Sequence, residues 1–424
     1  MRYFFLLFFL TLGLQAQKIR SSKIKRIIKK VVSFEKAHVG IAIQALESDK
    51  RITGIGYEKY MTPASNIKLL TFFGSIQEFD SLPILKYKIE EKTLHFKPTG
   101  YPLLFHPFYP DKKLEDFLNS FEKIIYHPNQ KYVQKFGPGW SWDDYPFYFS
   151  AEISTLPLHG NVARISKSKK QTLNIYPSFL ELKEDSLLPY NAFRDESKNI
   201  FKVNPDKLSV NDSVYIPIKT SVELNLKHLN ERLQPKVVIG INDIKTDRIL
   251  YSNDLARIYK PLLQNSDNLI AESLLIMIGE NLKVDYHNTQ TIEILKNKWK
   301  TWIPDQILWF DGSGVSRYSM ITPRTIIAVL QQINKTIGLD SIKKYFPAGG
   351  ISGTIRQYYN KLDAEPYVFA KTGTLKNNHN LSGYIISKSG RWYVFSIMVN
   401  HYNSSTKEIR LGMAQIIDYI YNRG

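Results

Sequence analysis

The 424-residue chain contains no cysteine. Disulfides, thiol catalysis, iron–sulfur clusters and cysteine-ligated zinc are therefore excluded. No His-Glu-x-x-His stretch occurs, so the helical zinc-protease signature is missing as well. Beyond the N-terminus no apolar window reaches the length of a membrane-spanning helix. The chain shows no internal repeat and no low-complexity segment. Acidic residues are in short supply, 39 Asp+Glu against 57 Lys+Arg, which leaves a formal charge of +18. An excess of that size usually invites a nucleic-acid reading, so the compartment in which the charge sits decides its meaning.

The N-terminus bears on the compartment. Met1-Arg2 precede the apolar run Tyr3–Leu10, and Ala16 offers a small residue for cleavage. A basic start, a short apolar stretch and a small residue make the pattern of a secretory signal peptide over residues 1–16. No cysteine follows, so a lipoprotein is excluded. An exported protein meets little nucleic acid. Periplasm or cell-wall space is the expected location, and the charge is expected to face anionic polymer or a membrane surface, or to keep the protein soluble.

What is present suggests a mixed fold. Seven basic residues and no acidic one fall within 18–30, with Ile24, Ile27, Ile28 and Val31 spaced along one helical face. That helix can lie on a membrane surface, or pack by its apolar stripe with the basic face in solvent, the more ordinary use. Residues 39–46 and 51–57 read as a hairpin turning at Asp49-Lys50. Helical spacing resumes from Asn66. Residues 82–245 hold short β-like runs (Thr172–Tyr176, Ser213–Ile218, Val237–Ile241) broken by Pro, Asn and Asp. Helical pattern returns near 254–281 and 322–336. Strands are expected at 367–375, 381–388 and 391–400, and an amphipathic helix from Lys407 to Tyr421. An α/β (α+β) domain of residues 17–81 and 246–424, interrupted by a mostly β insertion at 82–245, is the architecture expected.

Three short motifs stand out in order. Ser65-x-x-Lys68 follows Thr62-Pro63-Ala64 and opens an apolar helix. One turn places both side chains on one face, where the helix N-terminus favours a developing oxyanion. A neutral Lys amine could take the Ser proton. The same four-residue pattern occurs seven times, so alone it carries little, and from this motif alone Ser65 reads first as a helix cap. Ser266-Asp267-Asn268 also opens a helical run and also reads as a cap. Lys371-Thr372-Gly373 occurs once, in a strand-like stretch. Glycine there marks close approach of a ligand or another backbone.

Together and in this order, the three resemble the signature of class A β-lactamases and penicillin-binding proteins. The 201 residues between Ser65 and Ser266 are too many for a compact β-lactamase. The spacing resembles the low-molecular-mass class C penicillin-binding proteins, the D-alanyl-D-alanine carboxypeptidase/endopeptidase family. Gly137-Pro138-Gly139-Trp140-Ser141-Trp142-Asp143-Asp144, Asp311-Gly312-Ser313-Gly314 with Arg317, Gly353-Thr354-Ile355-Arg356 and Asn380-Leu381-Ser382-Gly383-Tyr384 are similar to further segments of that family. Residues 164–245 match no segment of it.

The resemblance implies a penicillin-binding, β-lactamase-like transpeptidase domain, an antiparallel sheet flanked by helices, acting on peptidoglycan stem peptides. Ser65 would be nucleophile and Lys68 general base. Ser266 would relay the proton to the leaving amine, and Asn268 would bind the substrate amide and orient Lys68. Lys371 and Thr372 would hold the terminal carboxylate. The N–H groups of Ser65 and Thr374 would form an oxyanion hole, and Gly373 would let substrate lie along the strand. Asp144, with Phe149, Arg356 and Lys376, would contact the diamino-acid side, and Asp144 reads equally as a surface-loop acid beside Trp140 and Trp142. Asp311, Ser313, Arg317, Trp140 and Trp142 read as structural. β-Lactams would be covalent inhibitors, and no metal or cofactor is expected. A β-lactamase-like esterase and an inactive cell-wall binder are the alternatives. Oligomeric state is not legible.

Overall fold

The computed structural model describes residues 19–47, 52–129, 133–241, 244–284, 287–360 and 365–424. The expected signal peptide and the turn at 49–50 lie outside the described residues. The chain begins with helix α1 (Ser21–Lys30), antiparallel strands β1 (His38–Ala45) and β2 (Thr53–Ile55), a 3₁₀ turn at Ala64–Ile67, and helix α2 (Lys68–Glu78). The Ile/Val stripe of α1 turns inward, with Ile24 and Val31 buried.

The region after α2 is built of small sheets. Strands β3 (Leu82–Glu90) and β4 (Thr93–Pro98) form a hairpin, followed by helix α3 (Lys112–Asn119) and β5 (Lys123–Tyr126). Strands β6 (Val162–Lys167) and β7 (Leu173–Tyr176) pair with each other, and β8 (Glu181–Glu184), β9 (Ala192–Arg194) and β10 (Ile200–Val203) form another sheet. Strand β11 (Ser213–Pro217) returns to β6, and α4 (Val222–Arg232) leads to β12 (Lys236–Ile239) and β13 (Arg248–Ser252). The runs expected at 172–176, 213–218 and 237–241 are thus β7, β11 and β12. Helices α3 and α4 were not expected. Strands β6–β11 enclose their own small core. The mixed sheet β12-β5-β4-β3-β13 packs instead into the main core with α2.

The expected helix at 254–281 is two, α5 (Ala256–Lys260) and α6 (Asn268–Asn281), separated by a π turn and by Ser266 in a left-handed conformation (φ 60°, ψ 35°). Helix α7 (Asn288–Trp299) was missed by the sequence reading, because its buried positions, Thr291, Ile292, Leu295 and Trp299, are few and include a polar residue. Helix α8 (Pro323–Tyr345) breaks at Gly338 (φ 70°, ψ 172°), close to the expected end at 336, and a second helical stretch continues to Tyr345. Strands β14 (Val368–Leu375), β15 (Asn378–Ile386) and β16 (Trp392–Asn400) precede the last helix, α9 (Thr406–Arg423).

The sheet order β14-β15-β16-β1-β2 makes three interior strands, covered on both faces. That is why their sequences read as continuous apolar runs. Alternate side chains enter separate cores: Ile41 and Ile43 of β1 join α1 and α9, whereas Ala42 joins α2, α6 and α8. The same alternation sends Phe369 to the α2 side and Val368 and Ala370 to the α9 side. Lys371, two residues after Phe369, therefore faces the helices that carry Ser65 and Ser266. Among the described residues no helix is long and apolar enough to cross a membrane.

Because Ile24 is 0% exposed within the α1–α9 core, Ile24→Ala should lower unfolding stability by about 2–5 kcal/mol. Urea unfolding checks this; an unchanged midpoint would mean that α1 contributes nothing to the fold.

Candidate active site

Ser65 lies in the 3₁₀ turn that feeds α2, and no side chain caps that turn. The turn is stapled to the sheet by asparagines. Asn380 Nδ2 donates to the Thr62 and Pro63 carbonyls (3.0 and 2.8 Å), Thr62 N–H donates to Asn400 Oδ1 (2.6 Å), and Asn66 Nδ2 donates to the Lys371 carbonyl (3.2 Å). Gly373 completes the join. A Cβ there would stand 2.3 Å from the Pro63 carbonyl oxygen, so the missing side chain makes room for the turn's own backbone. Gly373 is not among the residues that line the cleft.

Lys68 is fully buried, and its Nζ donates to three acceptors: Ser65 Oγ (3.1 Å), Asn268 Oδ1 (2.6 Å) and the Ser313 carbonyl (2.6 Å). The other amide end of Asn268 donates to the Phe149 carbonyl (2.8 Å), which fixes the orientation of the side chain. The cap of α6 is Asp267, whose Oδ1 accepts from Ile270 N–H (3.0 Å). Ser266 is thereby free of capping. Its left-handed backbone, at a cost of roughly 1 kcal/mol, accompanies a hydroxyl that accepts from Lys371 Nζ at 2.8 Å. Lys371 also donates to the Thr372 carbonyl (2.8 Å), and the Thr372 hydroxyl donates to Thr354 Oγ1 (2.7 Å).

The two lysines share one electrostatic problem. Burial lowers Lys68 to about 8, against the pull of Asp311, Glu272 and Asp267. Burial and then the charge of Lys68 hold Lys371 well below the ordinary lysine value. Beneath Lys68 lie two buried carboxylates. Glu272 accepts from Gly312 N–H (3.0 Å), Ser313 N–H (2.8 Å) and Asn288 Nδ2 (3.1 Å). Asp311 accepts from Gly314 N–H (3.0 Å), Ser316 N–H (2.7 Å), Ser313 Oγ (3.2 Å) and Trp140 Nε1 (2.9 Å). Burial pushes both carboxyls up. Each of these contacts is a donor, however, which is the arrangement an ionised carboxylate requires. The pair therefore anchors the 311–316 loop and lends Lys68 negative potential.

A cleft of about 760 Å³ opens over this cluster. Of the residues expected there, Ser65, Ser266, Asn268, Thr374, Asp144, Phe149 and Lys376 line it. Lys371, Thr372 and Gly373 are buried and do not, and Arg356 is exposed and does not. Asp144 is paired with Arg317 (3.3 Å), which also lines the cleft, so Arg317 is not the purely structural residue expected. Trp142 is 69% exposed and does not serve the core, whereas Trp140 is tied to Asp311. Glu272 was missed by the sequence reading. Its signal was a single charge inside the apolar run Leu269–Ile278.

The fold is the one shared by penicillin-binding proteins and β-lactamases. A model of the D-Ala-D-Ala carboxypeptidase 3 (S13) family matches residues 222–420, a range that includes Ser266 and Lys371 but begins after Ser65. The chain is 29% identical over 180 residues to D-alanyl-D-alanine carboxypeptidase DacB of Haemophilus influenzae, covering 40% of this chain and 37% of that one. It is 33% identical over 95 residues to a D-alanyl-D-alanine carboxypeptidase of an Actinomadura species, covering 21% and 18%. These matched segments span well under half of either relative's length. The fold is similar over 94% of this chain and 99% of the other to penicillin binding protein 4 of H. influenzae (TM-score 0.71, 19% identity). It is also similar to a predatory endopeptidase of Bdellovibrio bacteriovorus (TM-score 0.54, 16% identity), over 91% and 94%. The match to the D-Ala-D-Ala carboxypeptidase 3 (S13) family thus takes in the second half of the chain, from α4 to α9.

In Glu272→Gln an amide replaces one of the two negative charges below Lys68. The Lys68 pKa should then fall from about 8, by roughly one pH unit. The Gln amide also cannot accept at both oxygen positions, so stability should drop by about 1–3 kcal/mol. NMR titration of isotopically labelled, methylated lysine reads the first effect and denaturant unfolding the second; a Lys68 pKa that rises would contradict this account.

Proposed function

We propose that the protein is an exported serine DD-peptidase of peptidoglycan. It would cleave terminal D-Ala-D-Ala as a carboxypeptidase, D-Ala-diamino-acid cross-links as an endopeptidase, or both, through an acyl-enzyme. The observation that carries this is the Ser65–Lys68–Asn268 cluster beside the Ser266–Lys371 pair, with Ser65, Asn268 and Ser266 lining one cleft and the two lysines buried behind them. The S13 family match over residues 222–420 and the likeness in fold to penicillin binding protein 4 support it.

In this reading an uncharged Lys68 accepts the Ser65 proton as Oγ attacks the carbonyl carbon of the penultimate D-Ala. Ser266, held by Lys371, passes a proton to the amine as the C–N bond breaks, and the proton taken up by Lys68 replaces it on Ser266. Water then attacks the ester and gives one proton to Lys68; the C–O bond to Ser65 breaks, and Lys68 returns that proton to Ser65 Oγ. The exposed side of the cleft, with Asp144, Arg317 and Lys376, offers both charge signs to a zwitterionic stem peptide. Asp144 is the carboxylate for a free amino group, with Arg317 as the partner it exchanges. Export through the 1–16 segment is part of the proposal. So is a catalytic part of residues 17–81 and 246–424 split by the 82–245 insertion, although β13 at Arg248–Ser252 closes the insertion's mixed sheet just beyond 245.

Fluorescent penicillin should label the wild type covalently and leave Ser65→Ala unlabelled, as seen on denaturing gels. An unlabelled wild type would end the proposal. Digestion of purified sacculi with mass analysis of products should show lost terminal D-Ala or resolved cross-links.

Because only the neutral amine can act as base, kcat/KM should climb with pH through the region of about 8, where Lys68 loses its proton. Lys68→Met should slow acylation by roughly 10²–10⁴-fold. A pH profile flat from 6 to 9 would exclude Lys68 as the base.

A further inference from the structure

Behind Thr374 lies a buried histidine that the three motifs do not account for. His379 stands opposite Thr374 in the β14–β15 ladder and is 0% exposed. Its Nδ1 is 2.7 Å from Thr374 Oγ1, and its Nε2 is 3.4 Å from Arg410 Nε on α9. A guanidinium N–H can only donate, so Nε2 must be the accepting nitrogen. The ring proton is then on Nδ1 and is donated to Thr374. A second ring proton is disfavoured by burial and by the nearby charges of Arg410 and Lys371, which depress the histidine to about 3. Arg410 is itself fixed. It donates to the Tyr358 hydroxyl at 3.1 Å and lies 4.9 Å from the centre of that ring.

This directionality has a consequence at Thr374. A hydroxyl carries one proton and accepts through its lone pairs. With His379 donating to Oγ1, the hydroxyl proton points away from the ring. Thr374 is exposed on the cleft side, beside Ser65 and Ser266. The neighbouring donors are already committed: Lys371 Nζ to Ser266 and the Thr372 carbonyl, and the Thr372 hydroxyl to Thr354. Of Lys371, Thr372 and Thr374, Thr374 alone lines the cleft.

We propose that His379, locked in one tautomer by Arg410, is a positioning residue that makes the Thr374 hydroxyl a hydrogen-bond donor to the free carboxylate at the substrate's C-terminus. A carboxylate accepts and never donates, so a hydroxyl fixed as donor favours it over a C-terminal amide, whose N–H groups need acceptors. The inference rests on the DD-peptidase reading of the cleft.

The test compares kcat/KM for an acyl-D-Ala-D-Ala peptide ending in a free carboxylate with that for its C-terminal amide. His379→Leu should reduce the preference for the carboxylate about tenfold, chiefly through KM. His379→Asn carries an amide N–H near the position of Nδ1–H and should restore the preference. Thr374→Val, at an exposed position that does not threaten folding, should give the same loss as His379→Leu. An unchanged preference in His379→Leu or Thr374→Val would overturn the proposal, as would a His379→Asn protein with wild-type melting behaviour and no recovery. A wild type that cleaves neither peptide and takes no penicillin label would instead sink the DD-peptidase reading, and this inference with it.

Discussion

The site depends on one buried nitrogen. Lys68 Nζ is held by acceptors from three separate segments, the 64–67 turn, the start of α6 and the 311–316 loop. No one of those segments could satisfy it alone, and a buried ammonium lacking partners would be far too costly. Its protonation is a compromise between opposing forces. Burial favours the neutral amine, while Asp311, Glu272 and Asp267 favour the cation. The result near 8 leaves the amine available in mildly alkaline solution, yet still anchored when protonated.

The rest of the architecture keeps these segments in register. The strand period of two sends Lys371 to the helical face of the sheet, and the asparagine staples fix the Ser65 turn against that same strand. Close backbone approach at Gly373 leaves the turn little freedom to move. At Gly314 (φ 79°) a Cβ would stand 2.0 Å from the Ala64 carbonyl oxygen, so the loop under Lys68 is pressed against the Ser65 turn in the same way. The region after α2 belongs to the same frame. Its mixed sheet shares the main core, and its Trp140 reaches Asp311 directly. Removing it would strip the carboxylate pair of a donor as well as uncover apolar surface.

Legibility differed by element for physical reasons. Interior strands and the α9 helix announced themselves because burial on two faces, or on one helical stripe, leaves a strong apolar pattern. Helix α7 did not, since it buries only a narrow stripe. The start of β15 at Asn378 was hidden because its first three residues are polar: Asn380 staples the turn and His379 holds Thr374. Of the site, the three motifs were readable as a set. Their apparent alternative as helix caps was removed only by seeing Asp267 take the cap of α6 and Lys68 take the hydroxyl of Ser65.

Residue content and order alone established the groups on offer: no thiols, a strongly basic chain, and an ordered Ser-Lys, Ser-x-Asn, Lys-Thr-Gly set. Residue identity and local spacing suffice for that, because each motif is a few residues long. The tertiary structure decided which groups touch. It buried Lys371 behind the cleft wall, paired Asp144 with Arg317, left Arg356 outside, and set Glu272 and Asp311 beneath Lys68. Those outcomes come from contacts between residues far apart in the chain, where burial and Coulomb forces act through space and no local pattern records them.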